Sequence, residues 1–283
     1  MNETVTSYRE TPAPPALAHW VECYWELRAR YVSPPIVTRI IPDGSADLVF
    51  HLGDVPAAPD ENARADVHRG ASPRAYVVGT LLRSVDIQYA RDTHVVGASL
   101  RPAGVREVLE VESHAIADRV EPLAGASGAV GERLSRAVFD GPPETAMHRL
   151  NAELLDCARS FSVPDLAASA AVRLIRESGG LISMQALGLM LALPPRQLER
   201  RFSAAVGMPP KVFARLARFG GVVRRLRGRG LERGWATLAV EHGYHDQAHL
   251  VHEVRAFAGL TPAALLAEIH RVGFVQYDPT PRR

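Results

Sequence analysis

Long apolar runs, cysteine and lysine are all scarce in this 283-residue chain. No stretch approaches the roughly 20 apolar residues that cross a bilayer, and the run over 168–174 is already broken by charge. The first 15 residues hold Glu3, Glu10 and prolines where a secretory signal would need an apolar core, so a cytoplasmic location is expected. The two cysteines, Cys23 and Cys157, start neither a metal-ligand pattern nor a disulfide framework, which fits buried thiols in a reducing compartment. Of 33 basic residues only Lys211 is lysine, a bias that reflects coding composition more than the fold. Glycine-rich phosphate loops, nucleophile elbows and the His-Glu-x-x-His zinc motif are missing, so the expectation is no enzyme, no cofactor and no metal. His242 and His245 beside Glu241 lack a third ligand at sensible spacing, and a zinc-dependent alkyl-transfer domain would need four cysteines.

At 47% apolar and 23% charged residues, the composition is that of a folded chain long enough for one large or two ordinary domains. The net charge of +2 conceals an asymmetry. Residues 172–283 carry 17 basic against 8 acidic side chains, and the first 171 carry 16 against 23. A basic carboxy-terminal part joined to an acidic amino-terminal part points to a polyanion binder attached to something that need not touch the polyanion.

Short, partly β-branched runs at 19–28, 38–41, 46–52, 74–82, 84–90 and 94–102 predict strands, with Pro42-Asp43-Gly44 as a turn and 55–72 as a loop. Their spacing argues for an antiparallel barrel or sandwich rather than βαβ units. Helices are expected over 105–109, 123–139 and 146–156. From Pro164 nearly everything reads as helix, about seven in all. The expected organisation is an amino-terminal domain over 1–160, a helical domain over 164–272 and a tail over 273–283.

Two segments of the helical part repeat one layout. In 182–206, Met184 and Leu187 face inward, Leu193-Pro194-Pro195 turns the chain, and Leu198, Phe202 and Val206 recur every four residues opposite Arg196, Gln197, Glu199, Arg200 and Arg201. About 50 residues later Trp235, Leu238 and Ala239 precede a turn at Gly243, a capping residue at Asp246 and a stripe of Leu250, Val254 and Phe257. Helix, tight turn and a second helix with a basic outer face is the geometry that seats side chains in a major groove. Between them Val212, Leu216, Phe219, Val223 and Leu226 define the buried face of one connecting helix.

The runs LPPRQLERRFSAAVGMPPKVFARLARFGGVVRRL and LAVEHGYHDQAHLVHEVRAFAGLTPAAL resemble the DNA-binding domain of the arabinose-regulator (AraC/XylS) family of bacterial transcriptional regulators. The resemblance covers about 182–266. It implies an all-α domain with two helix-turn-helix units joined by a long helix, and double-stranded DNA as partner. DNA contacts are expected from Arg196, Gln197, Arg200, Arg201, Lys211, Gln247, His249, His252 and Arg255, with Arg215 and Arg218 as phosphate or intradomain partners. Arginine and glutamine can each bind a purine edge bidentately, while any arginine can instead neutralise a phosphate. Pro194, Gly207, Pro210, Gly243, Asp246, Gly259 and Pro262 are expected to shape the turns. The sequence departs from the family at Gly188, Pro194, His252 and Val254, where alanine, serine, arginine and phenylalanine are usual. The absent arginine puts the specificity of the second unit in doubt.

The segments YWE, IIPDGSADLVFHLGD and VVGASLRPAGVREVLEVESHAIADRVEPL resemble an amino-terminal domain found ahead of this module. That likeness implies an α+β chain whose first domain is a small, cupin-like antiparallel β-barrel followed by helices. A small-molecule effector, a second copy of the chain and RNA polymerase are the further candidate partners. Tyr24, Trp25, Asp43, His51 and Arg101 are the candidate effector residues, with Asp47 and His94 also weighed. Leu134, Val138, Leu150, Leu154 and Leu155 are candidates for a homodimer contact, equally readable as core. The competing reading is a non-sensing DNA-binding or architectural protein whose first domain only mediates oligomerisation.

Overall fold

In the computed structural model, residues 5–31, 36–55, 74–89 and 91–272 are described. The loop expected over 55–72, beyond Val55, and the tail over 273–283 lie outside them. Eight strands are described: β1 (Val5–Pro12), β2 (Val21–Arg30), β3 (Ile36–Ile40), β4 (Ala46–His51), β5 (Ala75–Val78), β6 (Val85–Tyr89), β7 (Asp92–Leu100) and β8 (Val120–Pro122). Six of them make an antiparallel sheet in the order β1-β2-β7-β4-β5-β8, and β3 pairs with β6 in a separate sheet.

The expected barrel does not form. β1 and β8 end the large sheet on opposite sides, and β3 and β6 leave it altogether. Strand spacing and alternation cannot distinguish these outcomes, because closure depends on tilt and shear that neither encodes. Both faces are covered by other means. Alternate residues of β4 and β7 (Leu48, Phe50, Val96, Ala98, Leu100) pack on the helices α1 (Val105–Leu109), α3 (Leu123–Phe139) and α4 (Ala146–Cys157). Their neighbours Val49 and Val95 turn to the other face, toward the β3–β6 sheet, whose Tyr89 and Ile87 pack on them. Leu134, Val138, Leu150 and Leu154 are wholly buried in the first of these cores, with Leu155 partly so, and they offer no free apolar face.

After the short α2 (Ser113–Ile116), α3 and α4, seven helices follow Pro164: α5 (Leu166–Glu177), α6 (Met184–Met190), α7 (Pro195–Val206), α8 (Pro210–Arg229), α9 (Gly234–Glu241), α10 (Gln247–Ala258) and α11 (Pro262–Val272). α5, α6 and α7 close one core around Leu187, Leu198 and Phe202, and α8–α11 close a second around Phe219, Leu250, Val254 and Phe257. α8 belongs to both. Phe213, which meets Phe202 edge-on, is buried in the first core with the expected Val212 packed partly buried against it, while Leu216, Phe219, Val222, Val223 and Leu226 face the second. No helix among the described residues is long and apolar enough to cross a membrane.

The two halves of the chain are packed together. Ser113 Oγ donates to the Ala205 carbonyl of α7 at 2.8 Å, Arg176 of α5 pairs with Glu22 of β2 at 3.1 Å, and Ile41 sits in the second helical core. Gly207 ends α7 at φ +82°, where a Cβ would lie 2.6 Å from the Ser113 carbonyl oxygen. Left-handed backbone alone costs an L side chain about 1–2 kcal/mol. Gly207→Ala is therefore expected to lower stability by at least that amount in urea denaturation; an unchanged midpoint would contradict the close approach.

Candidate functional site

The first helix-turn-helix unit is α6 and α7. Ser183 caps α6 by accepting from the Ala186 amide, and Leu187 seats it on the core. The departure at Gly188 has a physical reason: a Cβ there would stand 2.7 Å from the Leu193 carbonyl oxygen, so the turn lies against the helix. Pro194 supplies no side-chain cap to α7, but Pro195 at the first helical position already has the φ the helix needs. α7 buries Leu198, Phe202, Ala205 and Val206 and exposes Arg196, Gln197, Glu199 and Arg200. Arg201 stands apart, since its guanidinium grips Asp165 at 2.7 and 2.9 Å. Burial would raise the Asp165 carboxyl, but that guanidinium and the Ala168 amide hold it below the usual range.

The second unit is α9 and α10. Gly243 makes the turn at φ +69°, with Leu181 pressed where a Cβ would stand. Asp246 is extended and accepts from the His249 amide at 2.7 Å, which lowers its carboxyl; His245 Nδ1 at 3.1 Å adds to this. The His249 ring lies edge-on to Tyr244 and accepts from the His245 amide, so its side chain is occupied locally. Gln247, His252 and Arg255 are exposed and, with Ala248 and Val251, line a shallow depression along α10. Gly259 closes α10 at φ +66°, and Pro262 begins α11.

α8, opened by Pro210 at its first position, spans 20 residues, or about 30 Å at 1.5 Å per residue. Its cations divide into two sets. Arg215 pairs with the buried Glu253 at 2.7 and 3.0 Å, and Arg218 donates to the carbonyls of Gly180 and Gly243. Lys211 is exposed. Among the described residues Arg196, Arg200, Lys211 and Arg255 make no hydrogen bond or ion pair. Glu253, the residue that fixes α10 to α8, was not among the sequence candidates; a glutamate flanked by His252 and Val254 at stripe spacing was its available signal.

The end of α10 touches the first domain. Ser84 donates its amide to the Phe257 carbonyl at 2.8 Å and its hydroxyl to the Ala258 carbonyl at 2.9 Å, and Arg39 Nη1 reaches Ala258 at 3.3 Å. These carbonyls have no partner within the helix, and a guanidinium there also suits the negative end of the helix dipole. Asp86 holds Arg39 in place through two bonds of 2.7 Å. β3 and β6 thus clamp the second recognition helix.

The same two strands roof a cavity of about 90 Å³ over the large sheet. Trp25, Tyr8, Tyr76 and Tyr89 give it aromatic walls, and Asp43, Asp47 and His51 give it polar ones. Gly97 makes this possible: a Cβ there would lie 2.4 Å from the Trp25 indole, so the ring lies across β7 only because no side chain intervenes. Asp47 accepts from Trp25 Nε1 at 3.0 Å and from Ser99 Oγ. Burial first, and the neighbouring Asp43 second, push its carboxyl up to about 7. Burial likewise raises Asp43 and pushes His51 down to about 4, with Arg74 contributing to the latter. His51 Nε2 meets Tyr76 Oη at 2.9 Å, but Nδ1, in a side chain 1% exposed, has no partner.

Of the effector candidates, Trp25, Asp43 and His51 meet at this cavity, together with Asp47. Tyr24 points to the opposite face of the sheet, into the core under the helices. Arg101 donates to the Ala18 carbonyl and pairs with Glu22, and His94 pairs with Glu26. Tyr8, Tyr76, Tyr89 and Ser99 were not singled out in the sequence, because only the register of four strands brings them together.

Residues 187–268 match the helix-turn-helix domain family, and residues 9–122 match a domain of unknown function (DUF6597). No curated protein matches the chain in sequence. Among solved structures the chain is similar to ToxT from Vibrio cholerae, at a TM-score of 0.42 and 8% identity over 95% of this chain and 99% of that one. A second crystal form of ToxT gives 0.42 and 9%, over 94% and 98%. The complex of ToxT with (E)-4-(8-methylnaphthalen-1-yl)but-3-enoic acid gives 0.41 and 8%, over 94% and 99%. Superpositions this loose carry no functional argument. The carboxy-terminal part is a helix-turn-helix domain on the strength of its own match.

Proposed function

We propose that this chain is a sequence-specific DNA-binding transcriptional regulator of the AraC/XylS kind, acting without catalysis in the bacterial cytoplasm. The carrying observation is the pair of helix-turn-helix units on one connecting helix, with Arg196 and Arg200 on α7 and Arg255 on α10 exposed and engaged by nothing among the described residues. A connector of about 30 Å is close to the roughly 34 Å between successive major grooves on one face of B-DNA. Arg196 and Gln197 read base edges from α7. Gln247 and His252 contact DNA from α10, and Lys211 binds phosphate. Arg201 and His249, both engaged within the domain, act by holding their units in shape. A small-molecule effector enters the cavity in the first domain, and the β3–β6 sheet, which is both its roof and the clamp on α10, carries the effect to DNA. Homodimers would bind paired half-sites, with RNA polymerase as the downstream partner.

A mobility shift on DNA from the region upstream of the coding sequence tests this reading. A discrete complex that resists nonspecific competitor is expected, weakening roughly a thousandfold between 50 and 200 mM salt if six or more phosphates are neutralised. Arg196→Ala should cost about 1–3 kcal/mol on that site and relax discrimination, whereas Lys211→Ala should weaken all sequences alike and flatten the salt slope by about one. Binding to no DNA at low salt would refute the reading.

A further inference from the structure

The charge lining the cavity is all of one sign. Asp43 and Asp47 contribute two carboxyls, no lysine or arginine lines it among the described residues, and neither carboxyl makes an ion pair there. Two cations act on Asp43 from outside the lining: Arg176, already engaged by Glu22, the Gly44 carbonyl and Ser45 Oγ, and, more weakly, Arg227. Around these carboxyls stand the indole of Trp25 and the rings of Tyr8, Tyr76 and Tyr89, whose faces attract a cation. His51 adds a nitrogen without a partner, which becomes an acceptor when Nε2–H is donated to Tyr76. An anion would meet two carboxyls and the electron-rich faces of the rings. A neutral apolar molecule would leave the polar atoms without partners. An ammonium group suits the carboxyls and the rings, the aliphatic walls such as Leu27, Val49, Val78 and Val95 suit the carbon body attached to it, and a cavity of about 90 Å³ favours a compact one.

We propose that the cavity between the large sheet and the β3–β6 sheet binds a small organic cation, a primary amine or comparable ammonium, with Asp47 and Asp43 as counter-ions and Trp25 as the principal aromatic wall. The assignment rests on the effector-sensing reading of the first domain and adds the chemical class of the ligand.

Three molecules of nearly one shape separate the possibilities: isobutylammonium, isobutanol and isobutyrate. Each is titrated at pH 7 and matched ionic strength into the full chain, with ligand-observed saturation-transfer NMR and thermal unfolding as readouts. The same preparation is run in the mobility shift. Saturation transfer and a higher Tm with the amine alone, with at least tenfold weaker binding in both Asp47→Asn and Asp43→Asn, supports the proposal. Isobutanol or isobutyrate binding as well as the amine overturns the cationic class but keeps a sensing cavity. Amine binding unchanged in both variants places it elsewhere and overturns the site. No binding of any of the three at 10 mM, with the DNA complex intact, overturns the cavity as an amine site and leaves the DNA-binding reading standing; loss of the DNA complex as well refutes that reading separately.

Discussion

Asp47→Asn is expected to stabilise the folded chain at pH 8 by up to about 4 kcal/mol, and to change it little at pH 4. The folded-state carboxyl titrates near 7, well above its ordinary 3.8, chiefly because it is buried and secondly because Asp43 is beside it. Below pH 3.8 it is protonated in both states and imposes no penalty. Between 3.8 and about 7 the unfolded chain ionises it in water while the folded chain keeps it protonated, so stability is lost across that window and levels off above 7, where both states carry the charge. The surroundings deepen the cost. Glu22 also raises Asp47, whose own charge in turn raises Tyr8, Tyr76 and Cys23. Asparagine keeps an oxygen for Trp25 Nε1 and Ser99 Oγ while removing the charge. The figure is an upper bound, because the side chain keeps some surface open to the cavity and because the two carboxyls titrate as a pair. Urea unfolding of both proteins at the two pH values measures it. An equal difference at pH 4 and pH 8 would show that no charge penalty resides at Asp47. A carboxyl held at such a cost is one that a bound cation would repay, which is why the same substitution appears in the amine titration.

How much of this was legible in the sequence differs between the two halves. α7 and α10 were readable because each is amphipathic at a period that a one-dimensional pattern records, with Leu198, Phe202 and Val206 or Leu250, Val254 and Phe257 on one side. Their caps were readable too, since Asp246 and Gly207 are dictated by local backbone. The strands at 21–30, 46–51 and 92–100 were found for similar reasons, though β1 and β8 were not: Val5–Pro12 is largely polar along an edge, and Val120–Pro122 is three residues long. The open sheet was not legible, because pairing order is a nonlocal property that alternation leaves free. The cavity shows the same division. Trp25, Asp43 and His51 could be suspected singly by residue type, but their meeting with Tyr8 and Tyr89 depends on β1 pairing beside β2 in the large sheet and on β6 lying over that sheet's face. In the helical domain, which arginines are free could not be read from type or spacing. Arg200 and Arg201 are neighbours on one helix, yet one faces solvent and the other grips Asp165, 36 residues earlier.

Arg215 shows how a residue on a basic connector can be mistaken for a DNA contact, and removing it should have one of the largest effects on stability in the chain. Its guanidinium makes two bonds to Glu253, whose side chain is only 4% exposed, whereas its own is 46% exposed. Arg215→Ala therefore leaves a carboxylate in the interface of α8 and α10 with no cation, a change that costs about 3–5 kcal/mol for a wholly buried pair and less here, because water reaches the Arg215 side. The reverse change, Glu253→Gln, should be milder, since Arg215 can turn its charge to water and also lies 5.5 Å from the Phe257 ring. If the role of Arg215 is this pairing, the double substitution Arg215→Met with Glu253→Met recovers most of the stability lost in Arg215→Ala, because two apolar side chains fill the site without a charge to satisfy. A phosphate contact predicts otherwise: Arg215→Ala would leave the urea midpoint in place and weaken every DNA complex at low salt, as Lys211→Ala should. Measured together, unfolding and DNA affinity separate the two. A variant that unfolds early yet binds normally while folded would put Arg215 wholly with the scaffold that aims α10, and leave reading to the residues on its outer face.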